Sequence, residues 1–66
     1  MSTIGKNIKK FRQAKKLSQD KLSKLADLSL NTVVKIELDE NPNPTIETIQ
    51  RLAKALDVSV DDFLKK

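Results

Sequence analysis

Four hydroxyl side chains, Ser18, Ser29, Thr45 and Ser59, each stand directly before a segment whose apolar residues recur three and four positions apart. Leu22, Leu25 and Ala26 follow Ser18, and Val33 and Ile36 follow Ser29. Ile46, Ile49, Leu52, Ala53 and Leu56 follow Thr45, and Val60, Phe63 and Leu64 follow Ser59. A hydroxyl in that position accepts from an amide that the first turn of a helix leaves unpaired. Spacings of three and four gather the apolar residues on one side of a helix. Ile4, Ile8, Phe11 and Ala14 repeat the spacing behind Ser2 or Thr3. The pattern predicts an all-α chain of five short helices. They cover about 4–16, 19–26, 30–37 and 46–56, with the fifth beginning after Ser59. Asp20 and Glu47 suit the positive ends of their helices. Ser59 and Asp62 read as a capping box with Asp in the place of Glu, and Lys65-Lys66 suits a helix C-terminus. Residues 38–44, LDENPNP, contain two prolines that cannot continue a helix and predict a loop.

Sixty-six residues make one small domain, 1–66, whose core must be helical and well packed, because no Cys or His is present to add a disulfide or a zinc site. No apolar run exceeds two residues, as in Val33-Val34 or Phe63-Leu64. That excludes a transmembrane helix and a secretory signal, and a soluble cytoplasmic protein is the expectation. The net charge of +4 is unevenly placed. Residues 1–37 carry nine Lys/Arg and three Asp/Glu, or +6, whereas residues 38–66 carry four and six, or −2. A basic half beside a mildly acidic one predicts a face for a polyanion. With no His, Cys or Tyr there is little to serve as base or nucleophile, and one glycine, Gly5, cannot build a phosphate-cradling loop. No enzyme activity is expected. Asp39, Asn41 and Asn43 have the spacing of a calcium loop, but Pro44 and Gln50 occupy the required Gly and Glu positions. No metal and no cofactor are expected.

Residues 18–37 carry the functional signal. They read as two helices joined by a tight turn at Asp27–Ser29, with Asp27 able to take a left-handed backbone, though less readily than glycine. A pair of this size is a helix-turn-helix, whose second helix enters a DNA major groove. Leu30, Val34 and Leu38 form a second apolar stripe on that helix, partly exposed, with part of it expected to pack on the fourth helix.

The order of these signals resembles the Cro/cI-repressor-like, or Xre-like, helix-turn-helix family over about residues 4–64. The resemblance is carried by Ile8, Phe11 and Arg12, then Leu17-Ser18-Gln19-Asp20-Lys21-Leu22, Ala26, Leu28-Ser29, Thr32-Val33 and Ile36-Glu37. It continues through Pro44-Thr45-Ile46-Glu47-Thr48-Ile49 and the segment Leu52 to Asp61. It implies a compact five-helix repressor-like domain that binds double-stranded DNA sequence-specifically and regulates transcription. It also implies phosphate contact at Ser18 and Gln19, in keeping with the free amides of a helix N-terminus. Base reading falls on Leu30, Asn31 and Lys35, with Ser29 and Thr32 beside them. Asn31 suits an adenine edge, Lys35 a guanine, and Leu30 and Val34 thymine methyls. Arg12 and Glu37 match a buried structural ion pair. Asp27 stands where the family has a turn glycine. Asp39-Glu40 stand where relatives carry basic residues, which leaves Asn41, Asn43 or Thr45 to donate to phosphate from the loop. A homodimer on a two-fold operator is expected, with Val58, Val60, Phe63 and Leu64 as the surface between copies. The alternative is a protein-binding module that keeps the fold without DNA contacts, using the Leu30-Val34-Leu38 stripe and the acidic loop.

Overall fold

The computed structural model describes residues 3–40 and 44–65. Each hydroxyl before a helix does what the sequence asks of it. Ser18 Oγ accepts from the Lys21 amide at 3.0 Å, Ser29 Oγ from Thr32 at 3.1 Å, Thr45 Oγ1 from Thr48 at 3.1 Å and Ser59 Oγ from Asp62 at 3.3 Å. These caps start α2 (Gln19–Leu25), α3 (Leu30–Glu37), α4 (Ile46–Leu56) and α5 (Val60–Leu64), which follow α1 (Thr3–Ala14). Asp62 Oδ2 accepts from the Ser59 amide at 3.0 Å and completes the capping box. Thr3 lies within α1, and Ser2 lies outside the described residues.

The first four helices stop in one way. Lys16, Asp27, Asp39 and Asp57 take positive φ, between 57° and 63°. The following amide then reaches back five residues: Leu17 to the Arg12 carbonyl, Leu28 to Ser23, Glu40 to Lys35 and Val58 to Ala53, at 2.8–3.1 Å. This is the Schellman closure, in which glycine is the usual left-handed residue. Here three aspartates and a lysine take its place. The turn at Lys16 also explains why α1 ends at Ala14 rather than at residue 16.

Ile8, Leu22, Val33, Ile36, Leu52, Leu56 and Phe63 fill the centre, with Ala26, Ile49 and Ala53 around them. Helix α1 packs on α3 and α5, α2 on α3 and α4, and α4 on α5. Gly5 is buried where α1 meets the end of α3, and a Cβ there would overlap the Ile36 carbonyl oxygen. The sequence reading used Gly5 only to exclude a phosphate loop; its role is this close approach.

Several expected core positions face outward. Ala14 and Leu25 are exposed, and Ile46 is 73% exposed. In α2 the inward side is Leu22, Ser23 and Ala26, and the Ser23 hydroxyl donates to the Asp20 carbonyl at 2.6 Å. With only seven residues, α2 offers the core one narrow arc, and Leu25 falls outside it. Ile46 sits at the first position of α4, one turn beyond the core layer begun by Ile49. Phe63, expected between copies, is instead fully buried, its ring 6.0 Å from that of Phe11. A core this small needs that ring to close the end of the bundle. The stripe on α3 is partly exposed, as the sequence leads one to expect, with Leu30 43% and Leu38 62% exposed and Val34 half-buried.

Candidate nucleic-acid interface

The two motif helices are fixed by a polar knot. Arg12 comes from α1 and Glu37 from the last position of α3. Arg12 Nε donates to Glu37 Oε2 at 2.7 Å and Nη2 to Oε1 at 3.0 Å, a two-pronged pair whose side chains are 11% and 2% exposed. The third guanidinium nitrogen, Nη1, donates to the Leu17 carbonyl at 2.7 Å, just before α2 begins. Gln19 Nε2 donates to Glu37 Oε1 at 3.1 Å. One carboxylate therefore gathers α1, the start of α2 and the end of α3. The ion pair was expected from the resemblance; the link to Gln19 was not, and no local pattern marks it. The link leaves the second N–H and the carbonyl oxygen of the Gln19 amide to face other partners.

The turn between α2 and α3 is held from the other side. Arg51 of α4 donates from Nη1 to the Asp27 carbonyl at 3.0 Å and to Asp27 Oδ2 at 3.3 Å, while its Nη2 donates to Glu47 Oε1 at 2.7 Å. Arg51 was missed by the sequence reading. The four-residue step from Glu47 was the available signal.

With both ends fixed, α3 turns Val33, Ile36 and Glu37 inward and Leu30, Asn31, Lys35 and Leu38 outward. Asn31 and Lys35 make no side-chain hydrogen bond or ion pair among the described residues. Thr32 is half-buried, and its hydroxyl shares a 2.8 Å hydrogen bond with that of Ser29. Ser18 and Ser29 are exposed at the amino ends of α2 and α3, where the first-turn amides lend positive potential. The face thus combines uncommitted donors, two helix amino ends and exposed apolar side chains. Asn41 and Asn43 lie outside the described residues. Of the expected surface between copies, Leu64 is 55% exposed and Val58 and Val60 are half-buried. A cavity of about 480 Å³ between the end of α2 and α4, lined by Leu25, Ala26, Asp27, Arg51, Lys54 and Ala55, shares no residue with α3.

A family model described as helix-turn-helix matches residues 8–63. The chain belongs to the Cro/cI-type helix-turn-helix family. It is 38% identical over 58 residues to the immunity repressor protein of Bacillus phage phi105, a match that covers 88% of this chain and 40% of that protein. It is 32% identical over 63 residues to the transcriptional regulator SinR of Bacillus licheniformis, covering 96% of this chain and 57% of SinR. The chain thus spans about half the length of these curated relatives. Among solved structures, that of SinR, a master regulator of biofilm formation, in complex with DNA superposes with a TM-score of 0.90 at 32% identity, covering 94% of this chain and 98% of that one. In this family's terms, α2 and α3 are the two motif helices, and α1, α4 and α5 are their support. Among the described residues no helix is long and apolar enough to cross a membrane.

Proposed function

We propose that this chain binds double-stranded DNA sequence-specifically, with α3 in the major groove, and regulates transcription in the cytoplasm. The observation that carries the reading is the outward face of α3. Among the described residues Asn31 and Lys35 stand there without side-chain partners, on a helix fixed at its far end by the Arg12–Glu37 pair. Support also comes from the relatives, which are named as repressors and transcriptional regulators, and from the SinR structure, which contains DNA.

Ser18 and the α2 amino end take a phosphate, and Gln19, oriented by Glu37, donates its second N–H beside it. Asn31 pairs with an adenine edge and Lys35 reaches guanine O6 and N7. Ser29 and Thr32, bonded to each other, support the start of α3 at the groove. Two copies bind a two-fold operator with half-sites about one helical turn apart. Their contact uses Val58, Val60 and Leu64, with Phe63 withdrawn into the core.

The test is duplex affinity against salt. The reading expects log K to fall steeply with log salt, by about 0.9 for each phosphate neutralised. It also expects Lys35→Glu to abolish preference for the selected sequence while the variant melts like the parent. A flat salt response, or unchanged binding by Lys35→Glu, would be against it.

A further inference from the structure

The peptide group between Asp27 and Leu28 is bonded at both ends. Its N–H donates to the Ser23 carbonyl at 2.8 Å, and its C=O accepts from Arg51 Nη1 at 3.0 Å. The same Nη1 reaches Asp27 Oδ2 at 3.3 Å, and Nη2 donates at 2.7 Å to Glu47 Oε1, one turn earlier on α4. This peptide leads the chain out of α2 towards Ser29, which caps α3, so its plane sets the direction in which α3 starts. Asp27 takes a φ of 57° there. Glycine would adopt that backbone with less strain, but it has no carboxylate for Arg51 to grip. Backbone strain that neighbours hold in place gathers where a chain must keep one geometry. The two ends of α3 are thus mounted differently. The far end rests on the buried Arg12–Glu37 pair. The amino end depends on Arg51, Asp27 and Glu47, whose side chains are 40%, 96% and 73% exposed.

We propose that Arg51 is a positioning residue for DNA binding, which through Asp27 holds the amino end of α3 at the angle the groove requires. This rests on the DNA-binding reading and gives a part in it to a helix outside the motif. Arg51 acts on the turn and not on a nucleotide. A turn released from α4 samples other angles, and affinity falls with the fraction of molecules that keep the competent one. Because the latch is exposed, it contributes little to folding. Affinity and stability therefore separate when it is broken.

The experiment first enriches bound duplexes from a random pool with the full chain. Affinity for the enriched duplex is then measured by fluorescence anisotropy and stability by thermal melting, in two comparisons that hold charge constant. Asp27→Asn keeps an oxygen for Arg51 and tolerates positive φ, whereas Asp27→Gly removes the side-chain link. Asp27→Gly is expected to melt at least as high as Asp27→Asn and yet to bind about two- to fivefold more weakly, the range that an exposed ion pair supplies. Arg51→Lys keeps the charge but loses the planar fork that bridges the turn and Glu47. It is expected to melt like the parent, to bind more weakly by a similar factor, and to exchange the Leu28 amide faster. Equal affinity within either comparison overturns the inference while leaving DNA binding intact. Losses of affinity that follow melting temperature across the variants make Arg51 a stabilising residue only and overturn it too. A pool that yields no bound duplex overturns the DNA-binding reading itself, and the inference with it.

Discussion

Glu37 accepts three side-chain hydrogen bonds: from Arg12 Nε, Arg12 Nη2 and Gln19 Nε2. Its side chain is 2% exposed, so removing Arg12 strands a buried carboxylate. Arg12→Met is expected to cost about 3–5 kcal/mol of stability. Arg12→Met with Glu37→Leu should recover most of that, because no charge remains buried; urea unfolding of the three proteins checks both. The left-handed helix ends carry the opposite expectation. A non-glycine residue pays about 1–2 kcal/mol in that conformation, and aspartate less than lysine. Lys16→Gly and Asp27→Gly should therefore raise stability, Lys16→Gly by about 1 kcal/mol once the greater freedom of unfolded glycine is subtracted. Asp27→Gly should gain less, because Arg51 loses its contact with Asp27 Oδ2. A fall in melting temperature for Lys16→Gly would contradict the account. Asp27 was legible as a turn because aspartate is a turn residue. Lys16 was not, because nothing about lysine marks a left-handed position. The Arg12–Glu37 pair spans 25 residues, so only the family resemblance showed it.

Helix α5 has five residues, far too few to stand alone. Its first turn is held by the capping box, and its far end by Asn7 of α1, which donates from Nδ2 to the Phe63 carbonyl at 2.8 Å and to the Lys65 carbonyl at 2.6 Å. Asn7→Ala should loosen α5 by about 1–2 kcal/mol, read as faster hydrogen exchange at Phe63 and Leu64 with α3 unchanged. The Asp62 carboxyl is held below its ordinary pKa of 3.8, first by the Ser59 amide and then by Lys65, whose Nζ donates at 3.1 Å. A lowered folded pKa means that the box stabilises fully above the unfolded value and is lost as pH falls through the folded one. Below about pH 4 the parent should lose stability more steeply than Asp62→Asn, and parallel acid melting curves would remove the argument. Phe63→Ala should cost about 3–5 kcal/mol, as a core residue does, rather than merely dissociate copies. The elements themselves were legible because each cap is a local signal. Which apolar residues they bury was less so. A three-residue pattern such as Val60, Phe63 and Leu64 gives the same moment whether its partner is α1 or a second copy. Leu25 and Ile46 failed for the same reason, since neighbours and not spacing decide burial.

The five-helix domain is 24 Å in its longest Cα dimension, less than one turn of duplex DNA at about 34 Å. On the proposed reading one copy meets one half-site, and a two-fold operator needs two. Two copies acting together should bind a palindrome at least tenfold tighter than its isolated half-site, with affinity rising in step as spacing approaches one helical turn. The five-helix order and the place of the motif were legible from the sequence, since they follow from caps and spacing. The outward set of α3 was legible: Asn31 and Lys35 were placed on it, and the Leu30-Val34-Leu38 stripe reads as partly exposed, while how much of each side chain its neighbours cover needed the packing to be seen. The most direct measurement is the set of backbone amide shifts when an enriched duplex is titrated into the labelled chain. The account predicts the largest changes at Ser18–Lys21 and Ser29–Lys35, with the Leu25–Ala55 groove and α5 little affected. Large changes in that groove, with α3 undisturbed, would contradict it.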